Sequence, residues 1–239
     1  MKYKLTEESI EVAGRKLYRI QALIDFADIV KGDLGGWIES DNNLSQTGDA
    51  WVYDDAWVYG TAQVYDAARV FENARVFGAA LVFGAARVSG TARVFGAARV
   101  YDEAHVYDAA HVFENARVSG TAHVFENARV YGAARVSGAA RVFGAALVFG
   151  AARVSGTARV FGAARVYDEA HVYDAAHVFE NARVSGTAHV FENARVYGAA
   201  RVSGAARVFG AALVFGAARV SGAADAEAAE LKSPEGKGE

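Results

Sequence analysis

From Ala50 to Ala223 the chain repeats a six-residue unit without one insertion or deletion. Each unit reads alanine, an outward residue, valine, a second outward residue and a two-residue corner, as in Ala92-Arg93-Val94-Phe95-Gly96-Ala97. Valine recurs every six residues from Val52 to Val220, in 29 units, each with alanine two places earlier. So short a fixed period cannot build one central core. It stacks neighbouring units into a solenoid. Strand alternation puts Ala and Val on one side and Arg and Phe on the other, so the interior is a narrow bore of small side chains. Ser119, Ser137 and Ser155 stand 18 residues apart, as do Ser185, Ser203 and Ser221, which makes three units one turn. The predicted fold is all-β: a single-stranded triangular β-solenoid of 18 residues per coil. About ten coils at a strand spacing of ~4.8 Å would extend roughly 45 Å.

Glycine most often takes the first corner position, as a positive φ demands. Where Glu takes it (Glu72, Glu114, Glu126, Glu180, Glu192), Asn follows, and Asn is expected to adopt the left-handed conformation there. Residues 74–156 recur identically as 140–222, a shift of eleven units. Eleven is not a multiple of three, so each copied unit lands on a different face from its parent. Interchangeable building units explain that rotation, and a fixed catalytic face does not.

Three segments are expected: 1–49 as a hairpin with capping coils, 50–223 as the solenoid, and 224–239 as a short helical lid with a disordered tail. In the first, Tyr3–Leu5, Ser9–Val12 and Lys16–Ala22 read as strands, with a tight turn at Ala13-Gly14. Ile24–Ile29 reads as one helical turn. Leu34, Trp37, Ile38 and Leu44 are the apolar residues expected to cover the open end of the core. At the other end Ala226–Lys232 holds good helix formers, and Ser233–Glu239 has the composition of a disordered tail.

The run Gly32-Asp33-Leu34-Gly35-Gly36-Trp37-Ile38-Glu39, then Asn43-Leu44-Ser45, Trp51-Val52-Tyr53 and the Ala-Arg-Val-x-Gly units, resembles a family of bacterial and prophage hexapeptide-repeat proteins. Its members are often labelled hexapeptide acyltransferases, largely on fold. The resemblance covers about Met1 to Ala223 and implies a left-handed β-helix, but brings no established reaction with it. Repeats this uniform are expected of an engineered or recently expanded array.

Composition narrows the function. One proline, 25 glycines and 53% hydrophobic residues exclude collagen-like and disordered classes. The array holds 17 Arg against 14 acids, too mild a balance for a default nucleic-acid binder. There is no cysteine, and the start at Met1–Glu8 lacks the apolar run of a signal peptide. No membrane partner is expected, and the expected compartment is the cytoplasm. The six histidines (His105, His111, His123, His171, His177, His189) all replace Arg at the outward position, and His105 with His123, and His171 with His189, are expected to stack. They read as a solvated cationic row, so no metal, cofactor or catalytic residue is expected. Acyltransferases of the hexapeptide class, as that class implies, use a histidine at a subunit boundary and an excursion loop, and no loop interrupts the units.

One column on the 18-residue phase reads Tyr53, Phe71, Ser89, Tyr107, Phe125, Phe143, Phe161, Phe179, Tyr197, Phe215. Seven consecutive aromatic rungs, from Tyr107 to Phe215, form a candidate self-association edge through which two copies would pair. The expected role is a non-catalytic scaffold. A hexapeptide acyltransferase-like enzyme and a nucleic-acid-binding rod are the alternatives.

Overall fold

The computed structural model describes residues 1–227 and 230–232. They belong to two compact units, Met1–Thr121 and Ala122–Glu239. Both are β-solenoid. In each, the first outward residue and the valine form a short strand, and each strand pairs in parallel with the strand 18 residues on. In the first unit one face runs Trp57, Arg75, Arg93, His111, a second runs Trp51, Arg69, Arg87, His105, and a third runs Gln63, Leu81, Arg99, Arg117. The second unit repeats the scheme, for example Arg165, Arg183, Arg201, Arg219. The 18-residue coil matches the triangular left-handed β-helix.

The hydrogen bonds explain the six-residue length. Each unit donates three N–H groups to the coil that follows, as Arg93 does to Ala110 O, Phe95 to Val112 O and Ala97 to Glu114 O. Between those bonds the Ala and Val side chains turn inward, and from Ala50 to Val214 the repeat Ala and Val are essentially inaccessible. Alanine is small enough to leave the bore closed, and valine's β-branch suits the extended backbone.

The corner needs a left-handed residue first, and glycine supplies it in most units. In Glu-Asn corners the left-handed residue is the glutamate, with φ +60° at Glu72 and +57° at Glu126, and not the asparagine that was expected to adopt it. Position decides here: the first corner residue must carry the positive φ whatever its side chain. Its carboxylate recovers part of that cost by accepting the corner N–H one coil on. Asp66 accepts from Gly84 N, Asp102 from Gly120 N and Glu72 from Gly90 N.

The N-terminal cap begins with β1 (Tyr3–Val12) and β2 (Arg15–Ala22), an antiparallel hairpin turning at Ala13-Gly14, where both residues have positive φ. An irregularity between Leu5 and Ser9 divides β1 where the sequence suggested two strands. Strand β3 (Leu34–Ile38) pairs antiparallel with β2 and parallel with Trp57–Val58, which joins the hairpin to the first coil. The helical turn expected at Ile24–Ile29 is instead a bridged turn, Phe26 pairing with Ile29 around Ala27 at φ +48°. Six residues are too few to repay helix nucleation.

The cap's polar groups meet the carbonyls that no earlier coil can reach. Lys2 Nζ donates to Ala50 O (2.7 Å) and Gly48 O (3.2 Å), and Asn43 Nδ2 donates to Gly60 O (3.0 Å) and Ala62 O (2.9 Å). Backbone N–H groups of Trp37, Glu39 and Ser45 serve Ala56, Val58 and Val64. Burial pushes the Lys2 ammonium down to about 8, while Asp49 opposes that shift. Trp37, Ile38 and Leu44 are buried, together with Tyr3, Leu17 and Ile20. Leu34 is 53% exposed and does not cover the core. Its register opposite Gln21 holds it on the solvent side of β3.

At the other end the expected helix over Ala226–Lys232 does not form among the described residues. Asp225–Glu227 and Glu230–Leu231 are strands instead, paired with Arg207–Phe209 and Leu213–Val214. Ala226 sits opposite Val208 and is buried, so the out-in-out rhythm of the ladder overrides a helical propensity that is only a weak prior. The tail expected at Ser233–Glu239 lies outside the described residues.

Gly35 and Gly36 are set by close approach. A Cβ on Gly36 would lie 2.6 Å from Ala56 O and 2.7 Å from Val52 Cγ1, whereas one on Gly14 would meet nothing within 4 Å. Gly36→Ala is therefore expected to cost about 3 kcal/mol by overpacking, and Gly14→Ala about 1 kcal/mol for its left-handed φ. Urea unfolding followed by tryptophan fluorescence measures both; equal losses would show that β3 does not press on the first coil.

Candidate functional site

The outward positions next to valine form side-chain columns. Parallel, in-register strands give each residue in a column the same backbone and the same rotamer, so their rings come to lie flat on one another. In the first unit Tyr59, Phe77, Phe95 and Phe113 stack with centroids 5.1, 4.9 and 4.9 Å apart and planes within 3°. Tyr65, Phe83 and Tyr101 form a second stack.

The second unit holds the longest run. Phe125, Phe143, Phe161, Phe179 and Tyr197 stack at 4.8–4.9 Å, and Phe215 follows at 5.3 Å. These are six of the seven residues of the expected edge; Tyr107 lies in the first unit. All are partly exposed. The ring faces are engaged within the stack, which leaves ring edges toward solvent.

Arginines beside the rings use them as platforms. Arg75 lies 4.1 Å over the Trp57 ring, and Arg207 lies 5.3–5.4 Å over Phe191 and Phe209. Ion pairs gather at the cap: Arg15 with Glu39, Arg19 with Asp55, and Arg69 with Asp28. Asp28 also accepts from Tyr53 OH, and burial pushes that phenol up to about 12. Asp28, Tyr53, Asp54, Arg69, Phe71 and Arg87 line a cavity of about 230 Å³ beside this cluster. Nothing in the sequence announced it, because Asp28 arrives from a turn outside the repeat.

His171 and His189 pair in register, their ring centroids 4.8 Å apart and tilted by 45°, and Tyr173 meets His189 edge-on. His111 and His177 meet Phe95 and Phe161 edge-on. The histidines are thus part of the side-chain packing rather than a freely solvated row. Burial lowers the pKa of His123, His171 and His177, and neighbouring basic groups (Arg141 for His123, His189 and Arg153 for His171, Arg159 and Arg195 for His177) lower it further, with Glu169 opposing the shift at His171. Among the described residues no three His, Cys, Asp or Glu side chains converge as a metal site would need. No helix among them is long and apolar enough to cross a membrane.

No family model matches the chain. A protein of Escherichia coli (strain K12) named "Uncharacterized acetyltransferase YdcK" is 41% identical over 61 residues, which is 22% of this chain. The chain spans only 19% of that relative's length. This partial match and the solenoid together fit a hexapeptide-repeat family.

The lowered histidine pKa values set a direction with pH. The unfolded chain takes up protons at these sites near pH 6.5, before the folded chain does, so their contribution is complete above that value and is lost as pH falls below it. The melting temperature is expected to fall between about pH 7.5 and about pH 5.5, and His171→Gln with His177→Gln to flatten that fall. Proton NMR titration should place the His171 and His177 midpoints below 6.5; midpoints above it would reverse the assignment.

Proposed function

We propose that the chain is a non-catalytic structural scaffold whose copies associate along the Phe125–Phe215 ladder. The observation that carries this reading is the run of six parallel stacked rings in the second unit, on a backbone whose N–H groups are tied coil to coil. Such a ladder stiffens its own sheet and presents a regular apolar edge. A second copy offering the same edge would meet it along a two-fold axis. Stiffness and regular spacing are what a scaffold needs, and interchangeable units allow its length to vary without loss of a site.

A second reading comes from the relative named as an acetyltransferase, which favours an acyl-transfer enzyme. The two readings separate in one titration. A scaffold gives no saturable heat with acetyl coenzyme A in isothermal calorimetry, and an acyltransferase relative binds it.

Light scattering coupled to size exclusion tests the edge directly. The wild-type mass is expected to approach twice 25.3 kDa as concentration rises, and Phe125→Ser with Phe161→Ser to restore the monomer. Circular dichroism should show both proteins folded, with a loss of about 1 kcal/mol per removed ring pair. A mass that ignores the double substitution would remove this edge from the assembly.

A further inference from the structure

The column that begins at Tyr53 lacks one rung. Strands Arg69–Val70, Arg87–Val88 and His105–Val106 pair in register, so Phe71, Ser89 and Tyr107 occupy successive coils of one face. Ser89 is the one position in the first unit with a non-aromatic residue between two aromatic neighbours. Phe71 and Tyr107 are two strand spacings apart, about 9.6 Å. Intact stacks in this unit repeat at 4.9–5.1 Å with planes within 4°. A planar ring placed over Ser89 would therefore sit from both neighbours at the distance the protein already uses between its own rings.

The rung before the gap is also unusual. Tyr53 meets Phe71 edge-on, at 6.3 Å and 86°, where the other ring pairs along these columns lie nearly parallel. Its hydroxyl is held by Asp28, which turns the ring away from the stack. The cavity beside Tyr53 is lined by Asp28 and Asp54 as well as by Tyr53, Phe71, Arg69 and Arg87. Arg69 is paired with Asp28 at 3.0 Å, whereas Arg87, two residues before Ser89, is exposed and has no ion pair among the described residues. Of the nearby acids, Asp54 accepts from Glu72 N and Glu72 from Gly90 N at the corner, and Asp108 follows Tyr107 with its backbone against Gly90.

We propose that Ser89 marks a binding slot for a small planar aromatic carboxylate, its ring inserted between Phe71 and Tyr107 and its carboxylate on Arg87. A planar ring matches the missing rung, and Arg87 supplies the charge that a neutral arene would leave unused. No bond is made or broken; the slot is a binding site, independent of the scaffold reading.

Equilibrium dialysis with 2-naphthoate tests it. Saturable binding at one site per chain is expected, retained in Ser89→Ala and weakened about tenfold or more in Ser89→Phe, which supplies the absent ring. Ser89→Leu fills the slot without stacking and should lose binding as well, which keeps the test valid if the phenylalanine disturbs the fold. Arg87→Gln should bind 2-naphthoate and 2-naphthol alike, and cyclohexanecarboxylate should not compete. Absence of saturable binding, unchanged binding in both filled variants, or equal competition by cyclohexanecarboxylate would each overturn the slot.

Discussion

The structure depends on the direction of one hydrogen-bond ladder. Each unit gives its N–H groups to the coil that follows, so the first coil is left with carbonyls that nothing before it can reach. Buried carbonyls without donors are costly, and an open sheet edge invites pairing with other chains. The cap answers both demands. Lys2, Asn43 and the N–H groups of Trp37, Glu39 and Ser45 meet those carbonyls, while Trp37, Ile38 and Leu44 cover the apolar bore. The buried Lys2 ammonium is held by two main-chain carbonyls and the face of the Phe26 ring. The depressed pKa of Lys2 is the cost of its burial.

The same ladder explains why the corners tolerate strained residues. A glutamate at φ +60° would be unfavourable in isolation, yet Glu72 stands under a corner N–H that it can accept. Where glycine replaces the acid, the strain and that side-chain bond disappear together. Units with either corner therefore exchange with little net change, consistent with a long duplicated block that rotates from face to face. Interior and corner are constrained in every unit, while the outward pair is free to vary. Aromatic, serine, arginine and histidine columns are written in that freedom.

Stacking then uses the outward pair cooperatively. One ring on a flat sheet is half exposed; rings in every coil shield one another's faces and give the flanking arginines a surface to lie on. Histidines join the packing at the same positions, and their lowered pKa values follow from that partial burial and the cations beside them. Function is thus expected in the sequence of rungs along a face more than in any single side chain. The relative named as an acetyltransferase shares part of the chain, and its name adds a reading that the geometry of the columns does not supply.

The sequence by itself determined the repeat length, the Ala-Val interior, the three-unit coil and the columns of outward residues. Each follows from a period, and a period survives in the chain as written. The break in the ladder at Ser89 was legible in the same way. Only the tertiary structure decided what lies outside the period. It turned Ala226 into a strand position, because pairing with Val208 outweighs local helix preference. It placed the positive φ on glutamate rather than asparagine, because the turn fixes the position before the side chain is chosen. It left Leu34 in solvent and buried Lys2 and Asn43, because the first coil's unmet carbonyls need donors more than they need another apolar side chain.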